Sequence, residues 1–230
     1  MFAFVTLLTS DSYLPGALVL CESLKNTGTR HDIVILCTPN LNQKTYDSLS
    51  HSFSKVIKVD IIDSKDEHNL KILRRPELGI TFTKIHIFNP KLLNYEKVCF
   101  LDADTMVICN IDMIFDYVAD ERVLFAAAPD VGWPDCFNSG VFVTKPNKAI
   151  FEDLFQKSLK NESFDGGDQG LLNQYFSSWA EDSNNVTKKL PFTYNVTKTS
   201  FYSYLPALIK FAKDIKVIHF IGIYLKLNGR

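Results

Sequence analysis

The strongest constraint on the fold is the alternation in the first 62 residues. Phe2–Leu8 is a short apolar run with Thr6 inside it, too short for a helix and suited to a buried strand. Pro15 follows, a residue that fits a first helical turn, and Ala17, Leu20, Cys21 and Leu24 then recur at helical spacing up to Gly28, a natural stop. Ile33–Thr38 predicts a second strand, Leu41–Phe53 a second helix and Val56–Ile62 a third strand. Strand, helix, strand, helix, strand at this pace requires βαβ crossovers and hence a mostly parallel mixed sheet flanked by helices, an α/β fold.

The pattern continues as a helix over Thr81–Phe88, stopped by Asn89-Pro90, and a fully apolar strand over Val98–Leu101. Val123–Ala128 and Gly140–Thr144 predict strands, Asn147–Leu159 a helix, and Val217–Phe220 a last strand. Asp168 is placed to cap a helix running through Leu171, Leu172, Tyr175, Phe176 and Trp179. With no repeat, linker or low-complexity tract, residues 1–230 are expected to form a single domain. At 46% hydrophobic and 22% charged residues, the chain can bury a substantial core.

A formal net charge of -1 argues against a nucleic-acid surface, which needs a basic excess. Apolar runs fall short of the ~20 residues a membrane helix requires. The amino end has no basic region, and Asp11 comes too early for a secretory signal. Cys21, Cys37, Cys99, Cys109 and Cys136 are odd in number and form no C-x-x-C pair, as expected of reduced thiols in a cytoplasmic protein. Sequons begin at Asn161, Asn185 and Asn195 and carry meaning only in a secreted chain.

The chemistry starts at the end of the fourth predicted strand, where CFLDADTMV places Asp102 and Asp104 on either side of Ala103. In an open α/β sheet, ligands bind outside the carboxyl ends of strands. Acids at i and i+2 on a strand end point the same way. They cannot straddle a sugar ring as the two carboxylates of a glycosidase do. They suit gripping one divalent cation, which two carboxylates and an imidazole would hold against a diphosphate. Two other readings stay open on the acids alone. One is the haloacid-dehalogenase phosphatase pattern, although Met106 and Leu172 stand where it has other residues. The second is a solvated strand end with no ligand. A nicotinamide enzyme is disfavoured, since no G-x-G-x-x-G follows the first strand.

Several segments, taken together and in order, carry a resemblance. They are FVTLLTSDSY at 4–13, RPELGITFTK at 75–84, PDCFNSGVFV at 134–143, SFDGGDQGLLN at 163–173 and VIHFIG at 217–222. With these segments the chain resembles the glycogenin family of self-glucosylating glycogen primers, within glycosyltransferase family 8. The resemblance implies a GT-A nucleotide-sugar fold, UDP-glucose as donor, Mn²⁺ or alternatively Mg²⁺ as cofactor, and transfer with retention.

Carried over position by position, the resemblance implies a metal triad of Asp102, Asp104 and His219, with Ala103 beside the ribose. Leu7, Thr9, Ser10 and Tyr13 resemble the uridine pocket, Arg75 and Lys84 the basic residues facing the donor, and Asn138 and Ser139 sugar contacts. Asp165 would hold the glucose, with Asp168 and Gln169 at the anomeric carbon, and Gly222 and Lys226 would close the site. Two glycines in SFDGGDQG would let the backbone approach the ligand. FYSYLPAL at 201–208 resembles the acceptor segment, which makes Tyr202 the glucosylated residue, with Tyr204 the one expected in the core. The donor, the protein's own glucan and a second copy in a homodimer are the implied partners.

Two departures are visible. Ser10 stands where the family has Asn, and the end reads HFIGIYLKLNGR, with Leu225 where H-F-x-G-x-x-K-P-W has its lysine, Lys226 one place later and no Pro-Trp. The region that recruits glycogen synthase in longer relatives is expected to be absent, as in a shortened form. Rival readings are a family 8 transferase with a separate sugar acceptor and a catalytically impaired relative that acts as a binding partner.

Overall fold

The computed structural model describes residues 1–181 and 185–221. The amino-terminal half alternates as the sequence requires: β1 (Phe2–Leu8), α1 (Leu14–Asn26), β2 (Asp32–Cys37), α2 (Gln43–Ser52) and β3 (Lys55–Lys58). The third strand is shorter than Val56–Ile62, because Asp60 and Ile61 turn out to solvent and the ladder on β2 ends at Lys58. α3 (Glu67–Leu73) follows, and then a long 3₁₀ run over Pro76–Phe88. The helix expected over Thr81–Phe88 is thus wound more tightly and starts at Pro76. Phe82, Thr83, Lys84, Ile85, Ile87 and Phe88 are all buried, so this segment has no need of a single apolar stripe at 3.6-residue spacing.

β4 (Lys97–Leu101), β5 (Thr105–Val107), β6 (Phe125–Pro129) and β7 (Phe137–Thr144) come next, then α4 (Lys148–Leu159), α5 (Asp168–Tyr175), β8 (Thr187–Lys189) and β9 (Val196–Thr197). α6 (Ser200–Ser203), α7 (Leu205–Phe211) and β10 (Val217–His219) complete the described chain. The large sheet runs β3-β2-β1-β4-β7-β6-β8. Its pairings are parallel except where β7 runs antiparallel to β4 and β6.

Strand periodicity divides the core between the two faces of this sheet. Phe4 and Leu8 of β1, Cys99 and Leu101 of β4, and Val141 and Val143 of β7 pack on one side with α1. Ala3, Val5, Val98, Phe100 and Phe142 pack on the other with the 3₁₀ run and α5. A stack of rings lies under that second face: Phe100 on Phe142 at 5.1 Å, Phe88 on Phe142 at 5.8 Å, and Phe125 on Phe176 at 4.2 Å.

The second sheet positions the site. It is small, with the order β5-β10-β9, and its strands of two or three residues carry no readable period. β10 pairs antiparallel with β5, so that His219 faces Thr105, the residue that follows Asp104.

Candidate active site

Asp102 leaves the end of β4 with its N–H donating to Gly140 O at 2.8 Å. Its carbonyl then accepts from both the N–H (3.0 Å) and the Oγ1 (2.7 Å) of Thr105. A tight turn, and not the strand itself, therefore brings the two carboxylates to one side. Asp104 O accepts from Phe220 N at 2.9 Å, which ties the turn to the residue after His219. His219 Nε2 stands 3.2 Å from Asp104 Oδ1 and 3.8 Å from Asp102 Oδ2. Asp102, Asp104 and His219 each offer one ligand atom, all within 4.8 Å of one another.

Glycine makes this approach possible at two points. A Cβ on Gly140 would sit 2.2 Å from His219 Cε1, so β7 admits the imidazole only where it lacks a side chain. A Cβ on Gly16 would meet Ala103 O at 2.5 Å, so α1 can seat its first turn against the D-x-D turn only as glycine.

Lys84 joins this cluster to a second one. Its side chain is 5% exposed, and its Nζ lies 2.6 Å from Asp168 Oδ2 and 3.1 Å from Asp102 Oδ1. It also donates to Ser139 O at 3.3 Å and lies 4.7 Å above the Phe100 ring. Burial works against its charge, and Asp102 and Asp168 outweigh that and raise its pKa well above the lysine range. Lys84 is therefore no solvated surface charge. As it stands, the ammonium bridges two acids and does not project as an isolated cation.

Burial likewise raises the Asp102 carboxyl against the pull of Lys84. Asp104 is also penalised by burial, yet its hydrogen bond to His219 brings it below the usual carboxylate range. Ser139 Oγ donates to Asp168 Oδ2 at 2.7 Å, and Asp168 N donates to Thr81 Oγ1 at 3.2 Å. Asp168 is the first residue of α5 and Gly167 its cap, so the capping role expected of Asp168 is corrected: Lys84 and Ser139 take its carboxylate instead.

Gln169 Oε1 accepts from Asn138 Nδ2 at 3.1 Å and from Ser139 N at 3.3 Å, while its Nε2 donates to Asp130 Oδ2 at 3.3 Å. Asp165 is engaged in building the loop. Its Oδ1 accepts from Ser163 Oγ (2.9 Å), Gly167 N (2.8 Å) and Gly170 N (3.1 Å). Of the loop's two adjacent glycines, Gly166 is required by its φ of +76, whereas a Cβ on Gly167 would meet only ordinary contacts. Gly170 matters more than its place in the motif suggests, since a Cβ there would lie 2.3 Å from Asp165 Oδ1.

The remaining expected residues divide. Leu7, Thr9, Ser10 and Tyr13 are half-buried at the carboxyl end of β1, beside β4; Ser10 Oγ accepts from Ser12 N at 3.3 Å and Tyr13 packs on the core. Arg75 is on the turn between α3 and the 3₁₀ run. Tyr202 is in α6, and its side chain lies outside what is described. Tyr204, expected in the core, is 65% exposed, because α7 buries none of its residues. Gly222, Leu225 and Lys226 lie outside the described residues.

Spacing gave no sign of Asn195 or Asp130. Asn195 is read in sequence only as a sequon, yet it is 5% exposed and accepts from His219 Nδ1 at 2.9 Å. All five cysteines are free, and no described helix is long and apolar enough to cross a membrane.

A sequence model described as Glycosyl transferase family 8 matches residues 4–226. Glycogenin-1 of Mus musculus is 50% identical over 220 residues, covering 96% of this chain and 63% of that protein. Glycogenin-2 of Homo sapiens is 47% identical, covering 96% of this chain and 42% of that protein. The chain thus spans 63% or less of the length of these relatives. Among solved structures, the fold is similar to a bifunctional glycosyltransferase, WbbM (TM-score 0.66, 20% identity, 96% of this chain and 46% of that one). It is also similar to the galactosyltransferase LgtC (TM-score 0.63, 14% identity, 96% and 87%). These likenesses set aside the phosphatase and nicotinamide readings.

Proposed function

The chain belongs to glycosyltransferase family 8, and from that premise we propose that it is a glycogenin-like retaining glucosyltransferase. In this reading it uses UDP-glucose and glucosylates its own Tyr202. The bond from glucose C1 to the diphosphate oxygen breaks, a bond from C1 to the Tyr202 phenol oxygen forms, and the phenol proton is released. Further transfers extend an α-1,4-glucan on that first residue. The observation that carries the reading is the continuity of the site. Asp102, Asp104 and His219 form one donor set, and Lys84 links it within hydrogen-bond distance to Asp168.

The donor set fits a divalent cation on its own chemistry: two carboxylates and an imidazole nitrogen, of which Asp102 bears a burial penalty that a cation would relieve. Asp102, Asp104 and His219 would hold Mn²⁺, with Mg²⁺ as the alternative, and when bound it would neutralise charge on the departing diphosphate. Lys84 keeps Asp168 and Asp102 at a fixed separation. Asp168, steadied by Ser139 Oγ, then presents negative charge toward an oxocarbenium-like centre at C1. Gln169, Asn138 and Asp165 shape the glucose side, and Leu7, Thr9, Ser10 and Tyr13 the uridine side, with Arg75, Gly222 and Lys226 completing the donor contacts. Residues 1–230 act as one catalytic domain, in the cytoplasm and as a homodimer.

The test is intact mass after incubation with UDP-glucose and Mn²⁺, with wild type beside Tyr202→Phe and Asp102→Ala. A ladder of hexose additions in wild type, lost in both variants, is expected. A ladder surviving in Tyr202→Phe would move the acceptor elsewhere, and an unchanged wild-type mass would overturn self-glucosylation.

A further inference from the structure

Asn138, Asn195 and His219 are 7%, 5% and 3% exposed, so their polar atoms depend on one another for partners. The orientation of each can be worked out from backbone groups whose polarity is fixed. Gly140 N–H can only donate, and it meets the side chain of Asn138 at 3.0 Å, which makes that atom the carbonyl Oδ1. Ser139 N–H, also a donor only, fixes the near atom of Gln169 as Oε1, and this agrees with its receiving Asn138 Nδ2 at 3.1 Å. Two independent backbone anchors therefore give the same answer for Asn138.

The polarity then propagates. Asn195 lies 2.8 Å from Asn138 Oδ1 and must offer Nδ2 there, which turns its own Oδ1 toward His219 Nδ1 at 2.9 Å. An acceptor at that position requires Nδ1 to carry the proton. Reversing either amide would set buried donor against donor or acceptor against acceptor and leave each such group unsatisfied.

We propose that Asn195 is a positioning residue: with Asn138 it forms a one-way amide relay that keeps a proton on His219 Nδ1 and so leaves Nε2, the nitrogen that faces Asp102 and Asp104, as the one a cation would take. The inference deepens the metal-dependent reading above and rests on it for its consequence. It also accounts for the sequon at Asn195, whose amide is buried and spent twice inside the fold. The same relay reaches Gln169 and Asp130, so the metal side and the sugar side of the site share one hydrogen-bond polarity.

The test reads the tautomer directly. Metal-free protein with ¹⁵N-labelled histidine is examined by NMR at mildly alkaline pH, with His219→Gln to assign the signals. A protonated Nδ1 is expected. Mn²⁺ titration followed by electron paramagnetic resonance then compares wild type with Asn195→Ala and Asn195→Asp. Asn195→Ala is expected to mix the tautomers and weaken Mn²⁺ binding by about 10–100-fold. Asn195→Asp keeps an acceptor at Nδ1 but sets an oxygen against Asn138 Oδ1, so it is expected to keep the Nδ1 proton while recovering only part of the affinity, which a purely structural role would not do. An unprotonated Nδ1 in wild type overturns the proposal, as does wild-type Mn²⁺ affinity in Asn195→Ala. Should Asn195→Ala not fold, the wild-type protonation at Nδ1 and that of Asn195→Asp decide. A wild type that takes up no Mn²⁺ overturns the proposed metal-dependent function, while the tautomer, read without metal, stands or falls separately.

Discussion

Replacing Lys84 by Met keeps the length of the side chain and removes the charge that two acids share. Lys84, Asp168 and Asp102 have side-chain exposures of 5%, 11% and 31%, so water reaches Asp102 best and can partly take over its solvation. Breaking a buried ion pair by deleting one partner costs ~3–5 kcal/mol. With Asp102 partly wetted and Ser139 Oγ still donating to Asp168, the low end applies, about 3 kcal/mol. For a chain of this size that lowers Tm by roughly 6–12 °C.

The loss should be conditional on the acid. Asp168→Asn in the Lys84→Met background restores a neutral, hydrogen-bonding group, so the double variant should lose less than the sum of the singles by about 0.5–3 kcal/mol. Because the folded pKa of Lys84 lies above its unfolded value, its contribution is complete at neutral pH and fades only in strong alkali. The Lys84→Met penalty should therefore be flat across the neutral range. Urea unfolding of the four proteins, with the m-value checked for constancy, is the assay. A Lys84→Met penalty under ~0.5 kcal/mol, the size of an ordinary surface change, would refute the reasoning, as would strict additivity with Asp168→Asn.

Other consequences follow from burial and close approach. Gly140→Ala forces its new methyl against His219 Cε1, 2.2 Å away, and should weaken Mn²⁺ binding at least as much as the Asn195→Ala change while leaving circular dichroism unchanged; unaltered binding would show that the imidazole can move freely. Burial pushes the Cys37 thiol from 9.0 up to about 12, so above pH ~9 the unfolded chain gives up a proton that the folded chain retains. Stability should fall as pH climbs from there toward 12, more shallowly in Cys37→Ala, as read by urea midpoints across that range. In the native protein a thiol reagent should modify Cys109 and Cys136 first, since Cys21, Cys37 and Cys99 are buried; rapid modification of all five would contradict the packing.

The fold was legible where long elements carried one clear period. β1, β2 and the helices beside them appear as expected, because each buries a continuous face against the same sheet, whereas β3, an edge strand with no buried residue, ends early. Legibility failed where an element is short or buried all round. β5, β9 and β10 have two or three residues each, and what pairs them is the turn at Asp102–Thr105, a tertiary fact. The acids and His219 were identifiable from residue type and flanking pattern. Asn195 was not, because its role comes from being brought under His219 by β9 and β10, and a sequon is silent on that. Tyr204 misled for the opposite reason: an aromatic beside Pro206 looks like core, but α7 lies on the surface.

Lys84 also changes how the charges in the site add up. Considered as a basic residue facing the donor, it would offer one positive charge to a diphosphate. Placed between Asp168 and Asp102, that charge is already engaged, and one lysine against Asp102, Asp104 and Asp168 leaves two negative charges unanswered. His219 would not answer them once its Nε2 held a cation, since its one remaining proton, on Nδ1, goes to Asn195. A cluster so arranged is short of positive charge by two, in a place where burial already raises Asp102. The deficit matches a divalent cation in magnitude and the donor set matches it in kind. Lys84 and the cation would then not be alternative partners for the diphosphate. Lys84 sets the spacing of the acids, and the cation supplies the missing charge. Removing Lys84 should thus disturb the placement of Asp168 and the affinity for metal together, whereas removing Asp104 should abolish metal binding and leave the Lys84–Asp168 pair intact.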